Sequence, residues 1–150
     1  MKRKQPALRH QVAVLPMREA RDGTIETCLI TSRVTRRWLI PKGWPVEGIS
    51  ARRAAAREAR EEAGLLGRIG RKPVGTYRYW KRLRAGWELL EVIVYPLRVR
   101  QTLVDWPEKK QRSFRWIPLS EAMNQIIEPE LQELFAHVAR VSPARERAGG

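Results

Sequence analysis

Short apolar runs separated by polar turns occupy the first forty residues of the chain. Three of these runs have the length and composition of β-strands: residues 11–15, 27–32 and 38–40. Asp22-Gly23, between the first two runs, is a dipeptide typical of a hairpin turn. The pattern predicts three short strands that bring the chain to a different kind of segment.

That segment, residues 51–63, is rich in Ala, Arg and Glu, which are strong helix formers. Ser50 is a suitable N-cap, and Gly64 stands where a glycine commonly ends a helix. The alanines form a stripe of small side chains that would let the helix pack closely on a sheet. Before the helix, Pro-Lys-Gly-Trp-Pro at residues 41–45 excludes helix and predicts a shaped loop.

The second half of the chain returns to strand-like patterns and then ends in helical ones. Strands are predicted over residues 74–80, 87–99 and 111–117, and Pro96 places its strand at an edge or a bulge. Helices are predicted over residues 119–125 and 129–140. The chain therefore has the pattern of one mixed α/β (α+β) domain over residues 1–150. Residues 1–10 and 142–150 are expected to be mobile tails.

Three carboxylates distinguish the central helix. Glu58, Glu61 and Glu62 lie within one helical turn and on one side of it. Like charges at this spacing repel, so a cation is expected nearby; Arg57 and Arg60 supply part of that charge. A divalent metal ion would supply more, because hard cations take oxygen ligands. The alternative is a solvated helix face held by ion pairs such as Arg57–Glu61.

The stretch from Gly43 to Leu65 resembles the Nudix box. That pattern is Gly, five residues, Glu, seven residues, and then Arg-Glu-apolar-x-Glu-Glu-x-Gly-apolar. Gly43 fits the first position and Arg57 through Leu65 fit the last nine, whereas Ile49 stands in place of the first Glu. The lead-in at residues 41–45 is similar to the branch with diphosphoinositol and diadenosine polyphosphate hydrolases. The resemblance implies the Nudix fold, a mixed β-sheet sandwiched between α-helices.

The resemblance also implies roles for individual residues. Glu58, Glu61 and Glu62 would bind Mg²⁺ or Mn²⁺, and one of them would help to deprotonate water. The carbonyl of Gly43 would complete the coordination, and Arg57 would orient a glutamate through an ion pair. These residues form the implied catalytic and metal-binding set.

Two further carboxylates enter through the same resemblance. Family members often use a carboxylate from a later loop, and Glu108 within residues 105–110 is the expected one. Ile49 removes a carboxylate that would lie near the glutamate cluster, which leaves the catalytic base and the number of metal ions open. Glu47, two residues earlier, is a partial substitute.

Basic residues on both sides of the box are candidates for holding the other phosphates of a substrate. Lys42 is the strongest candidate because it abuts Gly43, and plain surface charge is the alternative for each of them. Trp44 and Trp80 have rings that can stack on a base, but packing roles are expected for both. The candidate substrate-binding residues are Arg33, Arg36, Arg37, Lys42, Lys81 and Arg82.

The composition of the chain narrows the classes of possible binding partner but does not select one of them. The formal charge, 30 − 16 = +14, favours polyanions such as nucleic acid, nucleotides, inositol phosphates or an anionic membrane surface. No apolar run approaches the roughly 18 residues of a membrane-spanning helix, so no membrane segment is expected. The single cysteine, Cys28, excludes an internal disulfide, fits a cytoplasmic location and is expected in the core.

Other chemistries find little support. The two histidines, His10 and His137, are not close in sequence to a Ser or Cys nucleophile, and the chain has neither a GxxxxGK[ST] loop nor a Rossmann glycine pattern. The expected function is metal-dependent hydrolysis of a P–O–P linkage in a nucleoside-diphosphate derivative, with a small-molecule polyphosphate as the substrate. A dinucleoside or diphosphoinositol polyphosphate is favoured. The alternatives are an RNA 5′-end pyrophosphohydrolase, which is less favoured, and a non-hydrolytic module that binds nucleotide or RNA.

Overall fold

The computed structural model describes the backbone of residues 8–149 and the side chains of residues 8–141. Within that part of the chain there are eight strands and three helices. In chain order they are β1 Arg9–Glu19, β2 Ile25–Thr31, β3 Trp38–Leu39, β4 Lys42–Gly43, α1 Ala51–Ala63, β5 Leu65–Ile69, β6 Gly75–Leu83, β7 Gly86–Thr102, β8 Phe114–Pro118, α2 Leu119–Ala122 and α3 Pro129–Gly149.

The eight strands of this described part form one mixed sheet. Its main path is β3-β2-β1-β7-β5, and β4, β6 and β8 pair with β1, β7 and β2 respectively. The two central strands, β1 and β7, are parallel, with Val12 opposite Ile93. The other pairs are antiparallel. The sheet is thus built around a parallel pair that is shielded on both sides by antiparallel neighbours.

Helices cover both faces of the sheet. Successive side chains of β1 point to opposite faces, so this strand contributes to the core on each side. Val12 and Val14 lie in the core cluster that α1 completes with its buried alanines. Ala13 and Leu15 lie in the second cluster, to which α3 contributes Leu131, Leu134, Phe135 and Val138. The predicted α+β fold, with a sheet sandwiched between helices, is confirmed.

The central helix has the predicted bounds and the predicted ends. The Ser50 hydroxyl accepts a hydrogen bond from the Arg53 N–H at 3.2 Å. Gly64 has φ 65°, in the left-handed region, and its N–H donates to the Arg60 carbonyl. The hairpin at Asp22-Gly23 is also present, with Glu19 opposite Ile25.

Several elements differ from the sequence-based prediction in their limits. β1 runs from Arg9 to Glu19, so it includes two residues of the expected lead-in and continues through Pro16. α2 ends at Ala122 rather than at residue 125, and the backbone of α3 continues to Gly149 rather than ending at residue 140. β5 was not predicted, because its five residues carry no alternation. The expectation for residues 1–7 concerns positions outside the described residues.

The prediction that Pro96 marks an edge or a bulge is wrong. Pro96 lies in the central strand β7, opposite Leu15 of β1. On its other side, the pairing with β6 ends at Val94 and the pairing with β5 begins at Leu97. Pro96 therefore lies where one neighbouring strand is exchanged for the next, and its missing N–H interrupts no continuous ladder there.

Cys28 lies in β2 and is 1% exposed, which confirms the expectation of a core position. Burial raises the pKa of its thiol to about 12, so the side chain is an inert packing group. None of the helices found between residues 8 and 149 is long and apolar enough to cross a membrane.

Candidate active site

The site begins where β4 meets α1. A Cβ atom on Gly43 would lie 2.3 Å from the carboxyl carbon of Glu58, so any other residue would displace this carboxylate from its present position. The Glu58 side chain is half-buried, and it accepts no hydrogen bond from any of the described residues. Gly43 and Glu58, which are 15 positions apart in the sequence, are thus direct neighbours.

Glu62 lies one turn further along α1 and is only 8% exposed. Its Oε1 accepts a hydrogen bond from the backbone N–H of Lys42 at 3.0 Å. Its Oε2 accepts one from the guanidinium of Arg112, also at 3.0 Å. Glu62 is therefore not on a solvated helix face. The interpretation of α1 as a solvated face held by ion pairs applies only to Arg57 and Glu61, whose charged groups are 2.9 Å apart.

Arg112 connects three parts of the site. Its guanidinium is 9% exposed and lies 3.0 Å from carboxylate oxygens of both Glu62 and Glu108. It also donates to the carbonyl of Thr31 at the end of β2, at 2.9 Å. No sequence pattern led us to predict a role for this residue. Its i,i+4 spacing from Glu108 was the one available signal, and in a loop that spacing predicts nothing.

The carboxylates of this cluster strongly affect one another. Burial, followed by the negative charges of Glu62, Glu61 and Glu108, raises the pKa of Glu58 to about 7. Burial also raises the pKa of Glu62 to about 7, although Arg112 and Lys42 oppose the increase. Burial is thus the main obstacle to ionising both groups, and at Glu58 the neighbouring carboxylates add to it.

The donor set fits a divalent cation in its chemistry. Carboxylate oxygens are what Mg²⁺ and Mn²⁺ take as ligands, and a cation would offset the burial and repulsion that raise the pKa values of Glu58 and Glu62. In their present positions, however, no three His, Cys, Asp or Glu side chains among the described residues are arranged to hold a metal ion. Arg57 contacts only Oε1 of Glu61, at 2.9 Å.

The position of the missing box glutamate lies in the loop before α1. Ile49 is half-buried, and its N–H donates to the Val46 carbonyl at 3.2 Å. Glu47 is exposed and forms no hydrogen bond or ion pair with the cluster among the described side chains. The structure therefore gives no support to Glu47 as a substitute.

The loop that carries Glu108 is fixed to the C-terminal end of α1. The Glu108 N–H donates to the carbonyl of Glu61 at 3.0 Å, and the Leu103 N–H donates to that of Gly64 at 2.8 Å. The Trp106 ring covers Gly64 so closely that a Cβ there would lie 2.3 Å from the ring. The end of the helix and the loop thus position each other.

Replacing Gly64 with alanine should lower the free energy of unfolding by about 2–4 kcal/mol, the sum of left-handed strain and overpacking against Trp106. Gly48→Ala is the matched control, because Gly48 also has positive φ, +81°, but a Cβ added there would meet no atom within 4 Å. It should cost about 1–2 kcal/mol. Urea unfolding measures both variants. Equal losses would show that the Trp106 contact contributes nothing.

Two of the predicted substrate-binding residues contact this same loop. Arg33 lies 3.7 Å from the Glu108 carboxylate and donates to the Gln111 side chain at 3.2 Å. Arg36 donates to the Gln111 carbonyl at 3.2 Å and to the Ser113 hydroxyl at 3.0 Å. Both arginines therefore hold the loop in the arrangement described.

Lys42 and Lys81 are two further candidates for phosphate binding. Lys42 is half-buried, and burial is the main cause that lowers its pKa to about 8. The charge of Glu62 opposes this decrease, and the charge of Lys81 adds to it. The structure thus places Lys42 beside Glu62, and it places Lys81 close enough for its charge to act on the Lys42 ammonium.

The remaining candidates are more dispersed. Arg37 lines a cavity beside β6, together with Trp80. Arg82 lies over the Trp87 ring, 5.7 Å from its centroid, near the β6–β7 turn. Trp80 is 61% exposed, so the expectation that it packs in the interior is wrong. Trp44 is half-buried beneath the guanidinium of Arg9, at 4.4 Å.

The chain is similar in sequence to curated Nudix hydrolases. Nudix hydrolase 12, mitochondrial, from Arabidopsis thaliana is 28% identical over 129 residues, covering 82% of this chain and 63% of the relative. Nudix hydrolase 21, chloroplastic, from the same plant is 33% identical over 119 residues, covering 77% and 58%. The chain spans about three fifths of the length of these curated relatives.

The structural comparison supports the fold. A binary complex of Caenorhabditis elegans Ap4A hydrolase superimposes with a TM-score of 0.69, covering 91% of this chain and 99% of that one, at 18% identity. Likeness at this identity shows the fold alone. The family model described as the NUDIX domain matches residues 8–138, which include every strand and the glutamate cluster. The chain belongs to the Nudix family.

Proposed function

We propose that this chain is a Mg²⁺- or Mn²⁺-dependent pyrophosphohydrolase that cleaves a P–O–P linkage in a nucleoside-diphosphate derivative. The observation that carries the proposal is the pair Glu58 and Glu62, placed on one side of α1 beside Gly43, each with a pKa of about 7. Perturbed carboxyls that lack compensating charge are a feature of functional sites. Carboxylates with a purely structural role are not usually clustered with raised pKa values.

The residues of the chain divide the work between them. When bound, the metal ion would neutralise phosphate charge and activate water. Glu58 and Glu62 would supply oxygen ligands, and a bound cation would favour their ionised forms. Arg112 would keep Glu62 and Glu108 in place, and Arg57 would hold Glu61.

The proposed substrate is a small-molecule polyphosphate, with a dinucleoside or diphosphoinositol polyphosphate favoured. Lys42, whose backbone N–H donates to Glu62, offers a cation for phosphates next to the cleaved bond, and the charge of Lys81 acts on Lys42. The fold is shared with a protein titled Ap4A hydrolase, which supports a dinucleoside polyphosphate. The formal charge of +14 favours the main alternative, hydrolysis at an RNA 5′ end.

A substrate screen with Mg²⁺ and Mn²⁺, followed by product analysis, tests this proposal. The panel contains diadenosine polyphosphates, diphosphoinositol polyphosphates, ADP-ribose, nucleoside triphosphates and 5′-triphosphorylated RNA. We expect one strongly preferred substrate, cleaved between two phosphorus atoms only when metal is present. Thermal stabilisation by nucleotide without metal and without hydrolysis would instead favour a binding module. Preference for RNA, with affinity that falls steeply with salt, would favour the RNA alternative.

A further inference from the structure

The hairpin of β6 and β7 carries a ladder of large side chains on one of its faces. Directly paired residues of an antiparallel ladder share a face, and alternate residues of each strand return to it. Three cross-strand pairs make up this ladder: Arg78 opposite Glu91, Trp80 opposite Leu89, and Arg82 opposite Trp87. We call this surface the hairpin face.

The two sides of the hairpin have different surroundings. Tyr77 and Val92, a neighbouring cross-strand pair that points the other way, are 2% and 0% exposed and belong to the core cluster to which α3 contributes. On the hairpin face, Trp80 is 61% exposed and Trp87 is 63% exposed. Tryptophan is on average a highly buried residue, so packing within the chain does not account for two exposed tryptophans on one face.

The strand register brings the two tryptophans together with a cation. Trp80 and Trp87 are diagonal neighbours, a relation that places Cα atoms roughly 7–8 Å apart and within reach of aromatic side chains. The Arg82 guanidinium lies 5.7 Å from the centroid of the Trp87 ring, within the range of a cation–π contact. The hairpin face therefore presents two rings with a positive charge beside one of them.

The carboxylates of the hairpin are already matched by cations. The Glu88 carboxylate lies 3.1 Å from the guanidinium of Arg9, and the Glu91 carboxylate lies 3.2 Å from that of Arg78. The end of the hairpin, residues 81–86, reads Lys-Arg-Leu-Arg-Ala-Gly, with three cations and no carboxylate. The charge that remains on the hairpin is positive, so the complementary partner is an anion.

A single strand of nucleic acid has the chemistry that this surface would recognise. It joins phosphates to bases whose π-faces are open, and proteins bind such strands by combining cations with aromatic side chains on which the bases stack. A double helix keeps its bases stacked on each other and would use only the cations. A membrane surface is less suitable, because peripheral binding buries large apolar side chains and the turn residues Arg84-Ala85-Gly86 offer none.

We propose that the hairpin face binds single-stranded nucleic acid, with Trp87 and Trp80 stacking on bases and Arg82 contacting a phosphate. This inference goes beyond the proposed function, because the surface is formed by exposed side chains of the hairpin and not by the glutamate cluster. It also gives part of the formal charge of +14 a role. RNA and DNA share this chemistry, so the experiment includes both.

Fluorescence anisotropy with labelled oligonucleotides of about 12 nucleotides tests the proposal. The probes are a mixed-sequence RNA, DNA of the same sequence and the RNA duplex, with vesicles of phosphatidylserine and phosphatidylcholine as the membrane arm. All strands have 5′-hydroxyl ends and EDTA is present, so neither hydrolysis nor metal contributes. We expect a single strand to bind about fivefold or more tightly than the duplex, with an affinity that falls as salt increases.

The variants separate stacking from charge. Trp87→Ala should weaken single-strand binding about tenfold because one stacking contact is lost, and Trp87→Phe should recover most of it. Phe114→Ala, at an aromatic residue of β8 that is 50% exposed, is the matched control and should change nothing. Arg82→Gln should reduce the slope of log affinity against log salt by about 0.7, the value for one phosphate contact. Arg53→Gln, on the exposed side of α1, is its control. Circular dichroism verifies that each variant is folded.

The outcomes also distinguish this inference from the proposed function. Equal affinity for single strand and duplex would overturn the assignment, as would unchanged single-strand binding in Trp87→Ala. Vesicle binding that depends on Trp87, without binding of oligonucleotides, would replace nucleic acid with a membrane surface. Single-strand binding that depends on Trp87, in a chain that hydrolyses no substrate, would support the hairpin face and reject the enzyme. Metal-dependent hydrolysis of small molecules without single-strand binding would do the reverse.

Discussion

Glu62→Gln should lower kcat for P–O–P hydrolysis by about a hundredfold to ten-thousandfold, the range typical for loss of a catalytic carboxylate. Glu62 is 8% exposed and lies between the backbone N–H of Lys42 and the guanidinium of Arg112. Glutamine keeps the shape of the side chain but removes the negative charge. Its amide NH₂ group would also replace one of the two oxygens that accept hydrogen bonds from Lys42 and Arg112. Both a metal ligand and an acceptor would be lost.

Steady-state kinetics at saturating Mg²⁺ measures this effect, and Mn²⁺ titration by electron paramagnetic resonance shows whether metal affinity falls with it. Glu133→Gln is the control, because this exposed residue of α3 lies outside the cluster. Its kcat should stay within about twofold of the wild type, as for surface substitutions in general. Retention of more than a tenth of the activity in folded Glu62→Gln would mean that the glutamate cluster is not the centre of catalysis.

The parts of the site that lie close in sequence could be predicted, because their geometry follows from a regular helix. Ser50, Gly64 and the spacing of the glutamates determine where α1 begins, ends and presents its carboxylates. The proximity of Gly43 and Glu58 was implied by resemblance to the Nudix box, and the missing Cβ explains it physically. Short-range rules were sufficient for this half of the site.

The other half depends on tertiary contacts that no local pattern encodes. Arg112 reaches Glu62 across 50 positions of sequence and Thr31 across 81. Its loop is held by Trp106 on Gly64 and by Arg33 and Arg36, which as isolated basic residues suggested phosphate binding. A charge in a sequence shows that a partner is needed, but only the fold decides whether that partner is a ligand or the protein.

The same limit explains the errors in the fold. β5 has no alternation of its own and is a strand only because the exposed ladder of β7 continues beyond β6. Pro96 is tolerated in a central strand because two neighbours meet there, which depends on where each of them ends. Both features are consequences of how the strands are arranged, and propensity at single positions does not contain that information.

Arg112→Met should be the most destabilising substitution in the site, with a loss of about 3–5 kcal/mol in the free energy of unfolding at pH 8. The guanidinium is 9% exposed and compensates two carboxylates, Glu62 and Glu108. Methionine fills similar volume but leaves those charges without their cation. Arg115→Met is the matched control, since Arg115 is exposed on β8, and it should cost less than about 0.5 kcal/mol.

The loss of unfolding free energy in Arg112→Met should depend on pH, and the pKa of Glu62 determines the direction of this dependence. Burial raises this pKa from 4.5 to about 7, so the folded chain holds a proton that the unfolded chain releases, and this contribution to stability is lost as pH rises from about 4.5 through 7. Arg112 lowers the same pKa, so without it the carboxyl stays protonated to higher pH and the decline extends further. The difference between variant and wild type should therefore be largest at pH 8, where the wild-type Glu62 is ionised and paired, and smaller by up to about 1.4 kcal/mol at pH 5. Urea unfolding at pH 5, 7 and 8 measures it, and combining Arg112→Met with Glu62→Gln should remove most of the pH dependence. A loss of the same size at all three pH values would show that Arg112 stabilises the site by packing rather than by its charge.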